Sequence, residues 1–294
     1  GYTITLNNND GTENTSTLKQ TQSFEKWTSA NGIEINGTSY TFAPSDDTIT
    51  ASYTRNQVEL TDLSRNGYTF EGWYTSANGG EKITSPYMPQ QDITLYAHWT
   101  ANSYTVNYNG NGATSGSTAS SSHTYDTAKN LTANGFSKTG YTFQGWSTNA
   151  SATTATYGNS ASVKNLTTTA NGTVTLYAIW KDTTAPAMTT PTISPSGWTN
   201  GNVTLTGKAT DSGSGIIAYQ WSTNSGLTAS SSGWTSITNT KSQISQNYTA
   251  TANGTYYFYA KDASGNVGKT SIKITSIDKN APTINSALKS PGST

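Results

Sequence analysis

Two short signatures recur in order along this chain. Gly67-Tyr68-Thr69-Phe70-Glu71-Gly72-Trp73 is followed by Thr94-Leu95-Tyr96-Ala97-His98-Trp99, and the pair returns as Gly140-Tyr141-Thr142-Phe143-Gln144-Gly145-Trp146 and Thr175-Leu176-Tyr177-Ala178-Ile179-Trp180. A self-similar chain is an array of small modules rather than one large core. Trp73 precedes Trp99 by 26 residues and Trp146 precedes Trp180 by 34. The 8 additional residues (34 − 26) are expected in the Ser/Thr/Ala/Asn-rich stretch 149–171, because loops absorb insertions and packed strands do not. A worn copy lies upstream. Phe24-Glu25-Lys26-Trp27 keeps the Phe-to-Trp step, and Thr48–Thr54 aligns with Thr94–Thr100 if Tyr53 replaces the Trp. Residues 1–54 therefore read as a diverged first copy.

The closing segments alternate as half-buried strands do: Leu95, Ala97 and Trp99 share one face, Tyr96 and His98 the other. Tyr2–Leu6 and Tyr104–Tyr108 read as opening strands, and Asn-Gly pairs at 66–67, 109–110, 134–135 and 171–172 mark turns. Short helical pieces are allowed at Leu60–Arg65 and Tyr125–Leu131, although neither has strong helical periodicity. Residues 55–100 lack an obvious long opening strand, so they are expected to share a sheet with 1–54.

The run from Gly67 to Trp99, with Gly79-Gly80 between its two signatures, resembles the Listeria–Bacteroides repeat, also known as the internalin B-repeat type. The resemblance is close over 55–181 and looser over 1–54. It implies small β-grasp-like modules on secreted or wall-attached bacterial proteins.

After Trp180 the texture changes. Lys181-Asp182-Thr183-Thr184-Ala185-Pro186 reads as a linker, and Ile277-Asp278-Lys279-Asn280-Ala281-Pro282 echoes it. The interval matches an immunoglobulin-like sandwich of ~100 residues. Strands are expected at Asn202–Ala209, Ile216–Ser222, Gln243–Ala250, Thr255–Lys261 and Thr270–Ser276. Trp221 falls on the third of the sandwich's strands, where such folds bury a Trp. Tyr256 precedes the core position Phe258 by two residues, as a tyrosine corner requires. The segments Ala209–Ile216, Tyr219–Ser222 and Tyr259–Asn266 resemble bacterial Ig-like modules of Gram-positive surface proteins. The expected architecture is mainly β: repeats at 1–54, 55–100 and 101–181, an Ig-like β-sandwich at 182–278, and the start of a further module at 279–294, together an elongated array.

Composition limits what such an array does. Formal net charge is zero and only 11% of residues are charged, which argues against nucleic acid and anionic membrane surfaces. Hydrophobic content is 32%, with 8 Trp and 18 Tyr; a few large rings anchor a small core. Cysteine is absent, and no apolar run is long enough to span a membrane. No signal peptide or wall-sorting tail is visible, so targeting signals are expected elsewhere in a longer protein.

No catalytic centre is expected. His98 lies mid-strand where the next copy has Ile179. His123 sits in Ser120-Ser121-Ser122-His123-Thr124-Tyr125-Asp126, a Ser/His/Asp run without the base-orienting geometry and oxyanion site of a triad. Metal binding is considered at Asp182 and Asp278 in the linkers and Asp211 and Asp262 in Gly/Ser-containing turns. Ca²⁺ takes carboxylate and carbonyl oxygens from such loops, although Asp before Gly or Ser also simply makes turns. Trp198 and Trp234, in loop-like surroundings, are the candidates for sugar contact, set against partial burial under a loop. Nothing singles out the Lys, Asn and acid of an isopeptide cross-link. The expected role is a non-catalytic stalk or adhesion segment of a secreted, wall-associated surface protein, facing a host or neighbouring-cell glycan or protein. The alternatives are an accessory carbohydrate-binding region of a secreted glycan-processing enzyme, and a host-protein binder acting through an exposed sheet edge. Oligomeric state is not legible.

Overall fold

The computed structural model describes residues 1–32, 35, 46–281 and 283. Every element among them is a strand. In chain order these are β1 (Thr3–Asn7), β2 (Thr15–Lys19), β3 (Gln22–Ser29), β4 (Ile49–Arg55), β5 (Tyr68–Tyr74), β6 (Lys82–Ile83) and β7 (Ile93–Ala101). There follow β8 (Ser103–Asn109), β9 (Ser115–Gly116), β10 (Ser121–Thr124), β11 (Lys129–Asn130), β12 (Phe136–Ser137), β13 (Tyr141–Ser147), β14 (Ser162–Val163) and β15 (Gly172–Asp182). The last seven are β16 (Ala187–Ser194), β17 (Val203–Thr210), β18 (Ile216–Ser222), β19 (Thr235–Lys241), β20 (Gln243–Ala250), β21 (Gly254–Asp262) and β22 (Val267–Ile274). The further module expected from 279 onward lies outside the described residues past 283.

Neither allowed helix forms. Around Leu60–Arg65 the backbone groups are taken by distant partners: Leu60 N donates to Ser85 Oγ at 2.9 Å, and Trp73 Nε1 donates to the Thr61 carbonyl at 3.0 Å. Burial of Leu60 beside Ile4, Leu6 and Leu95 holds the segment extended. In Tyr125–Leu131, Asp126 adopts a left-handed backbone (φ 60°), and Lys129–Asn130 pairs with β14. A single left-handed residue interrupts a helix.

The chain divides into two compact units. Gly1–Asn109, Thr118–Asn134 and Asn159–Leu176 make the first; Gly110–Ser117, Gly135–Gly158 and the chain from Tyr177 make the second. In the first unit, β2-β1-β7-β5-β6 form a five-stranded sheet in which β1 runs parallel to β7, Ile4 opposite Ile93 and Leu6 opposite Leu95. Its core is Ile4, Leu6, Leu60, Trp73, Leu95 and Ala97. Strands from both ends of residues 1–101 thus share one sheet. Between them β3 and β4 form a separate two-stranded sheet, with Phe24 opposite Tyr53. The first unit also pairs β8 with β10, and β11 with β14.

The Phe-x-Gly-Trp signature is a β-bulge. In an unbroken strand, residues three apart face opposite sides. Here the register slips between Phe70 and Gly72, and again between Phe143 and Gly145. The extra residue, Glu71 or Gln144, brings the Phe and the Trp back to one face. Phe70 then meets Trp73 at 5.6 Å and Trp99 at 5.3 Å between ring centroids; Phe143 meets Trp146 at 4.9 Å and Trp180 at 5.6 Å. The bulge places Gly72 at φ +130° and Gly145 at φ +135°, where a side chain is strained. The closing Trp also pins the turn after the opening strand: Trp99 Nε1 donates to the Asn8 carbonyl and Trp180 Nε1 to the Gly110 carbonyl, each at 2.8 Å.

In the second unit β13 runs antiparallel to the C-terminal part of β15, and β9 pairs with β12. Beyond them lie a three-stranded sheet, β16-β17-β20, and a four-stranded sheet, β19-β18-β21-β22. Val203, Leu205, Ala250, Tyr256 and Ile274 fill one core cluster; Ala209, Ile216, Phe258 and Ala260 fill another. Trp221 lies against Phe258, centroids 4.9 Å apart, and the Tyr256 hydroxyl donates to the Ala252 carbonyl at 2.9 Å. β18 and β20 span the expected residues. β16 and β19 were not legible in the sequence, and both are edge strands. β16 carries Pro191 inside a register slip between Thr189 and Thr192, the place an edge strand tolerates proline. β19 is mostly exposed and reads as polar loop.

Candidate metal centre

Three carboxylates converge in the second unit. Asp182 is the last residue of β15, Asp211 follows β17, and Asp262 ends β21. All three are buried, and each offers a carboxylate oxygen within 4.8 Å of the others. Backbone geometry puts them there. Asp182 caps the strand that pairs with Tyr141, Asp211 opens the Asp-Ser-Gly-Ser-Gly turn, and Asp262 opens the Asp-Ala-Ser-Gly-Asn turn.

Each carboxylate is held by donors. Asp182 Oδ1 accepts the Thr184 N–H at 2.9 Å and Oδ2 accepts the Ser214 N–H at 2.7 Å. Asp211 Oδ1 accepts Gly213 N at 3.1 Å and Gly215 N at 2.6 Å. Asp262 accepts Asn266 N on Oδ1 and Asn266 Nδ2 on Oδ2, both at 2.7 Å. Asn266 Nδ2 also donates to the Asp182 carbonyl at 3.1 Å, tying two of the three segments together. Gly213 is glycine because Asp182 is there: a Cβ at that position would lie 2.7 Å from the Asp182 carboxyl carbon.

Hydrogen bonds orient the acids but supply no full positive charge. Among the described residues none of the three has an ion-pair partner. An open pocket of about 310 Å³ adjoins Asp182 and Asp211, lined also by Tyr141, Thr184, Thr210 and Ser242. Burial, with Asp182 and Asp211 nearby, pushes the Tyr141 phenol above its ordinary value. The donor set is entirely oxygen, as a hard divalent cation such as Ca²⁺ requires, and holds no imidazole or thiolate of the kind that selects zinc.

The fourth acid considered, Asp278, is not part of this group. It is exposed and makes the same local turn, Oδ1 accepting Asn280 N at 3.0 Å. The Trp candidates separate as well. Trp198 is 78% exposed. Trp234 is half-buried, donates Nε1 to the Thr228 carbonyl at 3.3 Å and carries Lys261 Nζ over its ring at 4.7 Å.

The Ser/His/Asp run does not assemble. His123 is buried on β10, with Nε2 against Ser121 Oγ at 2.9 Å and Nδ1 lacking a partner, so nothing orients it as a base. Asp126 instead accepts the Tyr68 hydroxyl at 2.6 Å and Asn165 Nδ2 at 2.8 Å. Sequence reasoning nominated the three convergent acids but missed Asn266 and Tyr141. The signal for Asn266 was its place four residues after Asp262, which lets one side chain close the turn.

Residues 33–98 and 104–179 match the sequence pattern of the Listeria–Bacteroides repeat domain, so the chain carries this repeat twice. A stretch of 97 residues is 36% identical to a putative Gly-rich membrane protein of Evansella cellulosilytica, covering 30% of this chain and 11% of that protein. Another of 90 residues is 39% identical to internalin H of Listeria monocytogenes, covering 30% of this chain and 16% of that protein. The chain thus spans a small part of the length of the curated relatives it matches. No solved structure matches it. Among the described residues no helix is long and apolar enough to cross a membrane.

Proposed function

We propose that this chain is a non-catalytic spacer and presentation segment of a secreted bacterial cell-surface protein. In this reading the seven C-terminal strands are a bacterial Ig-like module, and Ca²⁺ bound by Asp182, Asp211 and Asp262 stiffens its joint to the preceding repeat. The observation that carries the reading is the joint itself. The repeat's closing strand ends in Asp182, which accepts Ser214 N and Asn266 Nδ2 from the following module instead of entering a free linker. A spacer needs such joints, because a flexible Gly/Ser linker lets ends collapse toward one another. A binding partner would be a glycan or protein of a host or neighbouring cell.

The test combines melting and solution scattering of residues 1–294 in Ca²⁺ and in chelator. A higher melting temperature in Ca²⁺, lost in Asp211→Asn, is expected, together with a maximum dimension well beyond that of a compact globule. Identical melting in the two buffers removes the metal from the proposal, and a compact particle removes the spacer. A second reading, an accessory sugar-binding region of a glycan-processing enzyme, rests on the exposure of Trp198. Unchanged glycan binding in Trp198→Ala would end it.

A further inference from the structure

The first unit carries an open pocket of about 380 Å³ with walls unlike those of the acid cluster. Arg65, Tyr68, His98 and Trp99 line it, with Asn9 and the Asn78-Gly79 turn. Pockets of this volume fall at the small-ligand end of the usual range.

Each wall is held in place by the fold. Trp99 spends its N–H on the Asn8 carbonyl and packs edge-on against Phe70, so it offers the pocket apolar ring surface. His98 is stacked on Tyr74 at 3.8 Å and bonds Ser76 O through Nε2. Asn9, in a left-handed backbone, spends both amide hydrogens on the Ala77 and Ala97 carbonyls at 3.0 Å. Its Oδ1 is left as an acceptor. Arg65 lies over Tyr68, its Cζ 3.8 Å from the ring centroid and 6.0 Å from that of Trp99.

Arg65 is the unspent group. Among the described residues its guanidinium makes no hydrogen bond and no ion pair. The nearby acid, Asp10, is engaged by Thr12 through both its N–H and its hydroxyl. A fork of N–H donors fixed on an aromatic face suits a carboxylate, which it binds in bidentate fashion. Ring surface beside amide groups suits the C–H face and hydroxyls of a sugar. The open, polar-walled shape suits a sugar better than an apolar side chain.

We propose that this pocket binds a carboxylate-bearing saccharide. The carboxylate engages Arg65, the sugar face lies on Trp99, and hydroxyls meet Asn9 Oδ1 and the Asn78 amide. This goes beyond the spacer reading and does not depend on the acid cluster. The copy of the two signatures at Gly140–Trp146 and Thr175–Trp180 supplies an internal control. There Lys138 lies over Tyr141 at 4.2 Å, Asn111 repeats the Asn9 bonds, and Ile179 replaces His98. Lysine is a point charge without the planar fork, so that copy should not bind.

The experiment titrates residues 1–294 with sialyllactose and a glucuronic acid disaccharide, against lactose and cellobiose, by calorimetry and by NMR shifts of the Arg65 Nε–H. Saturable binding of at least one acidic sugar is expected, with the neutral sugars about tenfold weaker or silent, and with affinity falling as salt rises. Arg65→Gln and Arg65→Lys should each lose about tenfold or more, and Asp10→Asn should tighten binding by removing a competing charge. Lys138→Gln should change nothing. Melting of each variant separates lost binding from lost folding. Equal affinity for neutral sugars, full affinity in Arg65→Gln, or no saturable binding of either acidic sugar would overturn the proposal.

Discussion

At the residue scale, the consequences concern positions where one atom type decides the backbone or the charge. Gly145 is the sharper of the two bulge glycines. A Cβ there would lie 2.7 Å from Ala155 Cβ, whereas at Gly72 it would meet Lys82 Cε, the far end of a flexible chain. Gly145→Ala is therefore expected to cost about 1–3 kcal/mol, and Gly72→Ala less, by chemical denaturation. Two titrations have definite signs. Asp126, held by Tyr68 and Asn165 with Lys164 at 3.4 Å, is drawn down to about 2. Its contribution is complete above the ordinary carboxylate value of 3.8 and is lost as pH falls toward 2, so Asp126→Asn should flatten melting over that window. Burial, with Lys129 as a lesser cause, lowers His123 below 6.5. An unfolded chain then binds more protons, and stability declines as pH falls below that value. Melting of His123→Gln at pH 7 and pH 5 should show a smaller decline than the parent.

At the scale of elements, the same aromatic trio recurs three times with different fates. Trp73 is 3% exposed and Trp146 fully buried, but in the hairpin β3–β4 Phe24 is 50%, Trp27 40% and Tyr53 54% exposed. The register slip between Phe24 and Lys26 repeats the bulge without its glycine. The repeated sheet adds a parallel β1 beside β7, and among the described residues β4 has only β3. Burial rather than residue type then sets energetic weight. Trp146→Ala should cost about 3–5 kcal/mol, and Trp27→Ala no more than about 1. Equal losses in urea denaturation would mean that the hairpin is covered in solution. Strands β17, β18, β20 and β21 were largely legible because their alternation is local. The two missed strands were edges, where one face and one side meet water and the pattern fades.

At the scale of the whole molecule, the acid cluster is where distant strand ends meet. Asp182 ends β15 and is bonded to the turns that follow β17 and β21. Asp182→Asn removes one charge from the cluster while keeping an acceptor for Ser214 N. It is expected to lower the Ca²⁺-dependent rise in melting temperature and to leave melting in chelator nearly unchanged; an equal loss in both buffers would mark a purely structural acid. The Asn280-to-Asp278 bond repeats the Thr184-to-Asp182 bond, so the linker echo seen in the sequence is also an echo of geometry.

What the sequence alone determined was everything written at short range. Alternation of Leu95, Ala97 and Trp99, the Phe-x-Gly-Trp step, the Asn-Gly turns and the turn-forming acids each depend on neighbours a few residues apart. From these came a mainly β fold, the repeat and the individual acids. Only the tertiary structure decided which distant segments meet. The parallel pairing of β1 with β7 joins the two ends of residues 1–101. The convergence of Asp182, Asp211 and Asp262, and of Arg65 with Trp99 and Asn9, joins residues tens of positions apart. Such contacts are set by strand register and sheet packing, which bring side chains together without leaving a periodic trace in the chain.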